Sequence, residues 1–163
     1  MSVKRTIAIV GATENAGIDL TTQFSDTDYR LLLVSNDADQ LAQLSKMITQ
    51  KKPKAEIDTI ECVKDGCWEA DIIILAVPSH QEKEVAEMMK EVATQKIVIS
   101  LSDDENEYGA LGRLLPYSKL VKVGNILQSK EICISGNDQE ANKEIVNIFQ
   151  QAGYHPSITN NHY

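Results

Sequence analysis

Three short runs of almost uninterrupted apolar residues constrain this chain most: Arg30–Ser35, Ile72–Val77 and Lys96–Leu101. A strand with apolar side chains on both faces must be covered on both faces, which is the situation inside a mostly parallel sheet. None of the runs approaches the roughly 20 residues of a membrane span. Pro78 closes the second run abruptly. A parallel sheet needs a crossover helix between successive strands, and the intervening sequence has the periodicity for them.

Thr6–Val10 is a first β-type run, and Ile18–Phe24 suits a short helix ended by Ser25-Asp26-Thr27-Asp28. Asp37 offers an N-cap to a helix whose Leu41, Leu44, Met47 and Ile48 recur at helical spacing. Ile57–Val63 alternates like a strand, and Trp68 falls on a short helix as a packing residue. A helix over Gln81–Ala93 would place Val85, Met88, Met89 and Val92 on one face. Tyr108–Leu115 reads as a helix, with Leu120–Val123 and Glu131–Ser135 as strands. Asn137 or Asp138 caps a last helix with Ala141, Ile145, Ile148 and Phe149 inward, ending at Gly153, and His155–Thr159 suits an edge strand. The order predicts one α/β domain over residues 1–163: a doubly wound, mostly parallel sheet of seven or eight strands with helices on both faces, a Rossmann architecture.

Composition narrows the function classes. The 163 residues carry 16 basic and 24 acidic groups, a net charge of −8, and Lys51-Lys52-Pro53-Lys54 is the one dense basic cluster. Nucleic-acid backbones demand clustered cations, so they are not the expected partner. Cys62, Cys67 and Cys133 are an odd count without a second pair, which fits reduced thiols and neither a zinc site nor a redox centre. The short apolar start leads straight into Gly11 without a cleavage site, which makes the cytoplasm the expected location.

Gly11-Ala12-Thr13-Glu14-Asn15-Ala16-Gly17 follows the first strand and opens the first helix. A dinucleotide fold places its pyrophosphate there, against free amides and the positive end of the helix. Gly11 and Gly17 are in place, but the middle position of the glycine pattern is Glu14. A carboxylate there faces the phosphates and repels them, swings outward and lets them bind, sits at the helix N-terminus as an internal substitute for phosphate, or belongs to a loop that only turns the chain. Where the second strand ends, an acid would hold the ribose of NAD and an Arg would suit NADP. The residues are Ser35 and Asn36, then the capping Asp37, which leans away from NADP.

The stretch Glu69-Ala70-Asp71-Ile72-Ile73-Ile74-Leu75-Ala76-Val77-Pro78-Ser79-His80 resembles the fourth-strand signature of the deazaflavin (coenzyme F-420)-dependent NADP oxidoreductases. The oxidoreductase domains of STEAP metalloreductases and, more distantly, the pyrroline-5-carboxylate reductases share it. Ser35-Asn36-Asp37-Ala38 is similar to that family's S-R-D-A, with Asn36 replacing the Arg, and Leu120–Asn125 to its V-V-K-A-F-N. Ile134–Asp138 through Gln151–Tyr154 is similar to its G-D-D…A-G-F segment, so the likeness runs from Thr6 to Pro156. The resemblance implies NAD or NADP at Gly11–Gly17, Ser35 and Asn36, with the nicotinamide beside Ala76, Val77 and Pro78 and Asn125 near an unidentified small-molecule substrate. It implies hydride transfer by an NAD(P)-dependent oxidoreductase, with no catalytic side chain singled out. Family members continue into further helices on the substrate side, and a homodimer in which a neighbour completes that wall is one expectation. The alternative is a Rossmann-like binding or assembly module without cofactor.

Other candidates are thinner. His80 follows Pro78 at the ligand-binding edge but has no paired carboxylate, and His155 and His162 lie near the C-terminus without partners. Asp103-Asp104-Glu105 and Glu107 read as a solvated turn that caps the next helix, with no metal expected.

Overall fold

The computed structural model describes residues 4–126 and 128–159. Eight strands form one sheet in the order β3-β2-β1-β4-β5-β6-β7-β8. They are β1 (Thr6–Val10), β2 (Arg30–Val34), β3 (Ile57–Ile60), β4 (Ile72–Leu75), β5 (Ile97–Ser100), β6 (Lys119–Gly124), β7 (Glu131–Gly136) and β8 (His155–Ile158). The first six run parallel; β7 is antiparallel to β6, and β8 is parallel to β7. The helices are α1 (Asn15–Phe24), α2 (Ala38–Lys51), α3 (Val63–Glu69), α4 (Glu82–Met89), α5 (Glu105–Leu114) and α6 (Gln139–Gln151).

The apolar runs do what their composition requires. In β1, Ile7 and Ile9 face one core with Leu31 and Leu33 of β2, Ile72 and Ile74 of β4, and α1, α2 and α6. Ala8 and Val10 face the second core with Leu32, Val34, Ile73 and Leu75, beneath α3, α4 and α5. Successive side chains alternate between faces, so every residue of β1 and β4 is buried. The first core is closed at one end by aromatic rings meeting edge to face: Phe24 of α1 lies 5.1 Å from Phe149 of α6, which lies 5.3 Å from Tyr154.

Several boundaries differ from the sequence expectation for local reasons. The expected strand Ile57–Val63 stops at Ile60, and Val63 already begins α3. Trp68 is 69% exposed and does not pack. Gly66 and Cys67 take the inward positions of this short helix, and a Cβ on Gly66 would come within 2.8 Å of Val34, so α3 approaches the sheet through bare backbone. The expected helix Gln81–Ala93 is a 3₁₀ turn at Ser79–Gln81 followed by α4, which ends at Met89; Met88 is largely exposed. There the chain tightens, with the Val92 amide bonded to Met89 O, and turns through Gln95 at φ 65°. Helix α5 starts at Glu105, three residues before the expected Tyr108. Cys62 and Cys133 are exposed, while Cys67 is buried and its thiol is pushed up to about 12 by burial. Among the described residues no helix is long and apolar enough to cross a membrane.

Phe149 is fully buried at the meeting point of α1, α6 and the approach to β8. Phe149→Ala is expected to cost about 3–5 kcal/mol of stability, since the cavity between packed helices cannot collapse. Urea denaturation checks this; a loss below about 1 kcal/mol would show that the ring cluster does not anchor that end of the core.

Candidate functional site

The crossovers run from β1 through β2 to β3 along one side of the sheet, and from β4 through β5 to β6 along the other. The direction reverses between β1 and β4, which opens a crevice at their carboxyl ends. Gly11 leaves β1 at φ +87°, a left-handed conformation suited to glycine. Its amide and that of Ala12 both bond to Val34 O, at 2.9 and 3.1 Å, pinning the loop across the end of β2. The Glu14 amide bonds to Gly11 O at 3.0 Å to close the turn. A Cβ on Gly17 would stand 2.1 Å from Gly11 O, so the first turn of α1 is drawn onto the loop by the absence of a side chain. A Cβ on Gly11 would lie 2.8 Å from both Ala76 O and Val77 Cγ1.

These contacts gather most of the expected site residues. The loop Gly11–Gly17 touches Ala76 and Val77, and the Thr13 and Ser35 hydroxyls share a hydrogen bond of 2.8 Å. Pro78 follows directly and caps the 3₁₀ turn, while Asn15 and Asn36 stand exposed on either side of the crevice. Glu14 settles one of its alternatives: its side chain is exposed and makes no cap hydrogen bond, so it does not substitute internally for a phosphate. Helices α2, α5 and α6 are each capped by an aspartate side chain, Asp37, Asp104 and Asp138, whereas α1 has only the Glu14 backbone. Asn137, the other expected cap of the last helix, leaves that role to Asp138.

The expected residues farther along the edge have local duties. Asn125 turns the chain at φ 72°, and its Nδ2 donates to Glu131 O at 2.9 Å, holding the β6–β7 connection. His80 and His155 are exposed, and His162 lies outside the described residues. Among the described residues no group of three or more His, Cys, Asp or Glu is placed to hold a metal ion. A cleft of about 740 Å³ lies between α5 and the start of α6, lined in part by Tyr108, Lys122 and Asn142, three strands away from the glycine loop. The Asn142 amide is held by Gly136 O, and its Oδ1 is buried without a partner.

Glu82 was not foreseen. It opens α4 at 1% exposure, and its carboxylate accepts the Ser100 hydroxyl at 2.9 and 3.0 Å. The backbone amides of Leu101 and Ser102 support it as well. Burial outweighs these donors, and the nearby Glu107 adds like charge, so its pKa is pushed up to about 7. The sequence signal was present: Glu82 stands three, four and seven residues before the buried Val85, Ala86 and Met89, an acid on an apolar stripe.

Fold and crevice together are those of a Rossmann domain, and the family match makes it one of the NAD(P)-binding oxidoreductase type. The sequence profile described as NADP oxidoreductase, coenzyme F420-dependent, matches residues 6–103, and the chain belongs to that family. The match covers the glycine loop and the strand ending at Ala76–Pro78; the motifs read after residue 103 lie outside it. No curated protein matches the chain by sequence.

Among solved structures, a diketoreductase of dicarbonyl compounds superposes with a TM-score of 0.76 at 17% identity, covering 100% of this chain and 66% of that one. A candidate F420-dependent NADP reductase from Arthrobacter sp. FB24 gives 0.72 at 14% identity, covering 96% and 84%. The pyrroline carboxylate reductase of Plasmodium falciparum, solved with NADP bound, gives 0.68 at 15%, covering 98% and 59%. The chain thus spans less than two thirds of the diketoreductase and of the Plasmodium enzyme. At these identities the likeness establishes the fold.

A carboxyl raised from 4.5 to about 7 by folding keeps its proton to higher pH in the native state than in the unfolded one. Its contribution to stability is therefore complete below about pH 4.5 and is lost as the pH rises through about 7. Relative to Glu82→Gln, the native protein is expected to lose roughly 3 kcal/mol between pH 5 and pH 8. Urea midpoints of the two proteins across that range check it; parallel profiles would show that Glu82 titrates normally.

Proposed function

We propose that the chain binds a nicotinamide dinucleotide along the carboxyl ends of β1, β2 and β4 and positions it for hydride transfer. The observation that carries this reading is the close seating of Gly17 on Gly11 O, beneath a helix N-terminus that no side chain caps. Such a terminus offers amides and a positive dipole end to a pyrophosphate. Gly11, Ala12, Thr13, Asn15, Ala16 and Gly17 would line the phosphates, with Glu14 turned outward to solvent. Ser35, already hydrogen-bonded to Thr13, and the exposed Asn36 would meet the adenosine ribose. Ala76, Val77 and Pro78 would pack against the nicotinamide and keep water from one side of it. The dinucleotide supplies the hydride chemistry, and the side chains bind and orient it.

Asn36 carries no charge for a 2′-phosphate, so the reading favours NAD(H) over NADP(H). The second redox partner docks at the Ala76–Pro78 edge; family membership makes a deazaflavin the first compound to test. A cytoplasmic location and a second copy of the chain that walls the substrate side belong to the same reading. Light scattering tests the second copy.

Thermal shift with NADH and NADPH tests the cofactor. A ligand at 100 times its dissociation constant stabilises a protein by about 2.7 kcal/mol, so binding is readily seen. NADH is expected to stabilise the native protein more than NADPH does. Removing the like charge in Glu14→Gly should tighten both about tenfold, and Asn36→Arg should shift the preference toward NADPH by about tenfold. Silence of both the native protein and Glu14→Gly toward either dinucleotide would overturn the reading in favour of a cofactor-free binding module.

A further inference from the structure

The register places Leu75 of β4 beside Ser100 of β5, so the segments leaving the two strands, Ala76–Pro78 and Leu101–Asp104, run next to each other at the same edge. Glu82 joins them: it lies four residues beyond Pro78, and its carboxylate is bonded to Ser100. From there the hydrogen bonds continue in sequence. The Ser102 amide donates to Ser100 Oγ at 3.2 Å, the Asp104 amide to Ser102 Oγ at 3.1 Å, and Asp104 Oδ1 caps α5 by accepting the Asn106 amide at 2.9 Å. Glu82, Ser100 and Ser102 are all buried, so water does not replace any of these partners without opening the loop.

We propose that Glu82 is a positioning residue whose buried carboxylate, acting through Ser100, holds the β5–α5 loop as a fixed wall of the nicotinamide half of the site. This rests on the dinucleotide reading above. Protonated, Glu82 can donate to Ser100 Oγ while its second oxygen accepts the backbone amides, whereas the ionised form keeps its donors but holds a charge away from water. The closed loop is therefore held most firmly when Glu82 carries its proton, and the anchor weakens as the pH rises through about 7. Of the other charged groups around it, Glu107 of α5 opposes ionisation, Asp104 is engaged as the α5 cap, and Asp103 lies against Gly124 of β6. On the side of the 3₁₀ turn, His80 is exposed.

Amide hydrogen exchange at Ser102 and Asp104 of the whole chain, from pH 6 to 8 and corrected for intrinsic rates, tests the anchor in native protein, Glu82→Gln and Ser100→Ala. NADH dissociation constants are measured on the same samples. Native protection is expected to fall about tenfold from pH 6 to 8, with NADH binding weakening alongside, because opening the loop releases the proton that Glu82 holds when buried. Glu82→Gln should be flat across this range, and Ser100→Ala should be less protected than the native protein at every pH, which keeps the test open if Glu82→Gln folds poorly. Equal protection in all three proteins overturns the anchor. Lost protection in variants that bind NADH as well as the native protein overturns the wall. If no form binds NADH, the dinucleotide reading fails, and the exchange data still separate that failure from failure of the anchor.

Discussion

Everything at the candidate site follows from the double burial of β1 and β4. Neither strand has a face that water can reach, so helices must cover both sides of the sheet, and right-handed crossovers can do that only by moving outward in opposite directions. The reversal leaves the carboxyl ends of these two strands without a helix directly above them. Gly11 and Gly17 then decide how close the first helix comes to that gap. With any side chain at Gly17, the α1 backbone would have to retreat from Gly11 O, and the helix terminus would no longer sit over the crevice. The core and the site are thus two consequences of one packing constraint.

The parts of the fold legible in the sequence are those where burial is two-sided or a cap is chemically distinctive. Leu31–Val34 and Ile72–Leu75 have no polar residues to place on a wet face, and Asp37 and Asp138 announce the helices they cap. The misread boundaries lie where one side of an element faces solvent. Val63 continues the alternation of β3 by residue type alone, but the backbone has already turned into α3. Trp68 is large and apolar, yet the close approach permitted by Gly66 turns its neighbour outward, a consequence of three-dimensional contact with Val34 that no local pattern carries.

Which segments meet at the crevice was legible in the sequence, and their bonding was not. The loop after β1 and the ends of β2 and β4 could be named because a doubly wound sheet fixes their places along the chain. That Thr13 reaches Ser35, that Glu14 leaves its helix uncapped by a side chain, and that Asn125 is occupied with Glu131 O are matters of angle and reach. Glu82 is the instructive omission. An acid on an apolar stripe is easily taken as a solvated residue at a helix start, and only its proximity to Ser100 shows that it is inside.

Two carboxylates now bracket the crevice with opposite physics. Glu14, in the glycine loop, is exposed, so water weakens its charge without abolishing its repulsion of a nearby anion. Glu82, beyond Ala76–Pro78, is shut away from water, and burial holds its proton on against the pull of the serine and backbone donors around it. A negative charge tolerated at the rim affects how tightly an anionic ligand is held. A carboxyl enclosed behind the β5–α5 loop is coupled to that loop, because whatever keeps it shut away from water disfavours its ionisation. Two residues of the same chemical type at one crevice thus behave oppositely, made different only by their access to water.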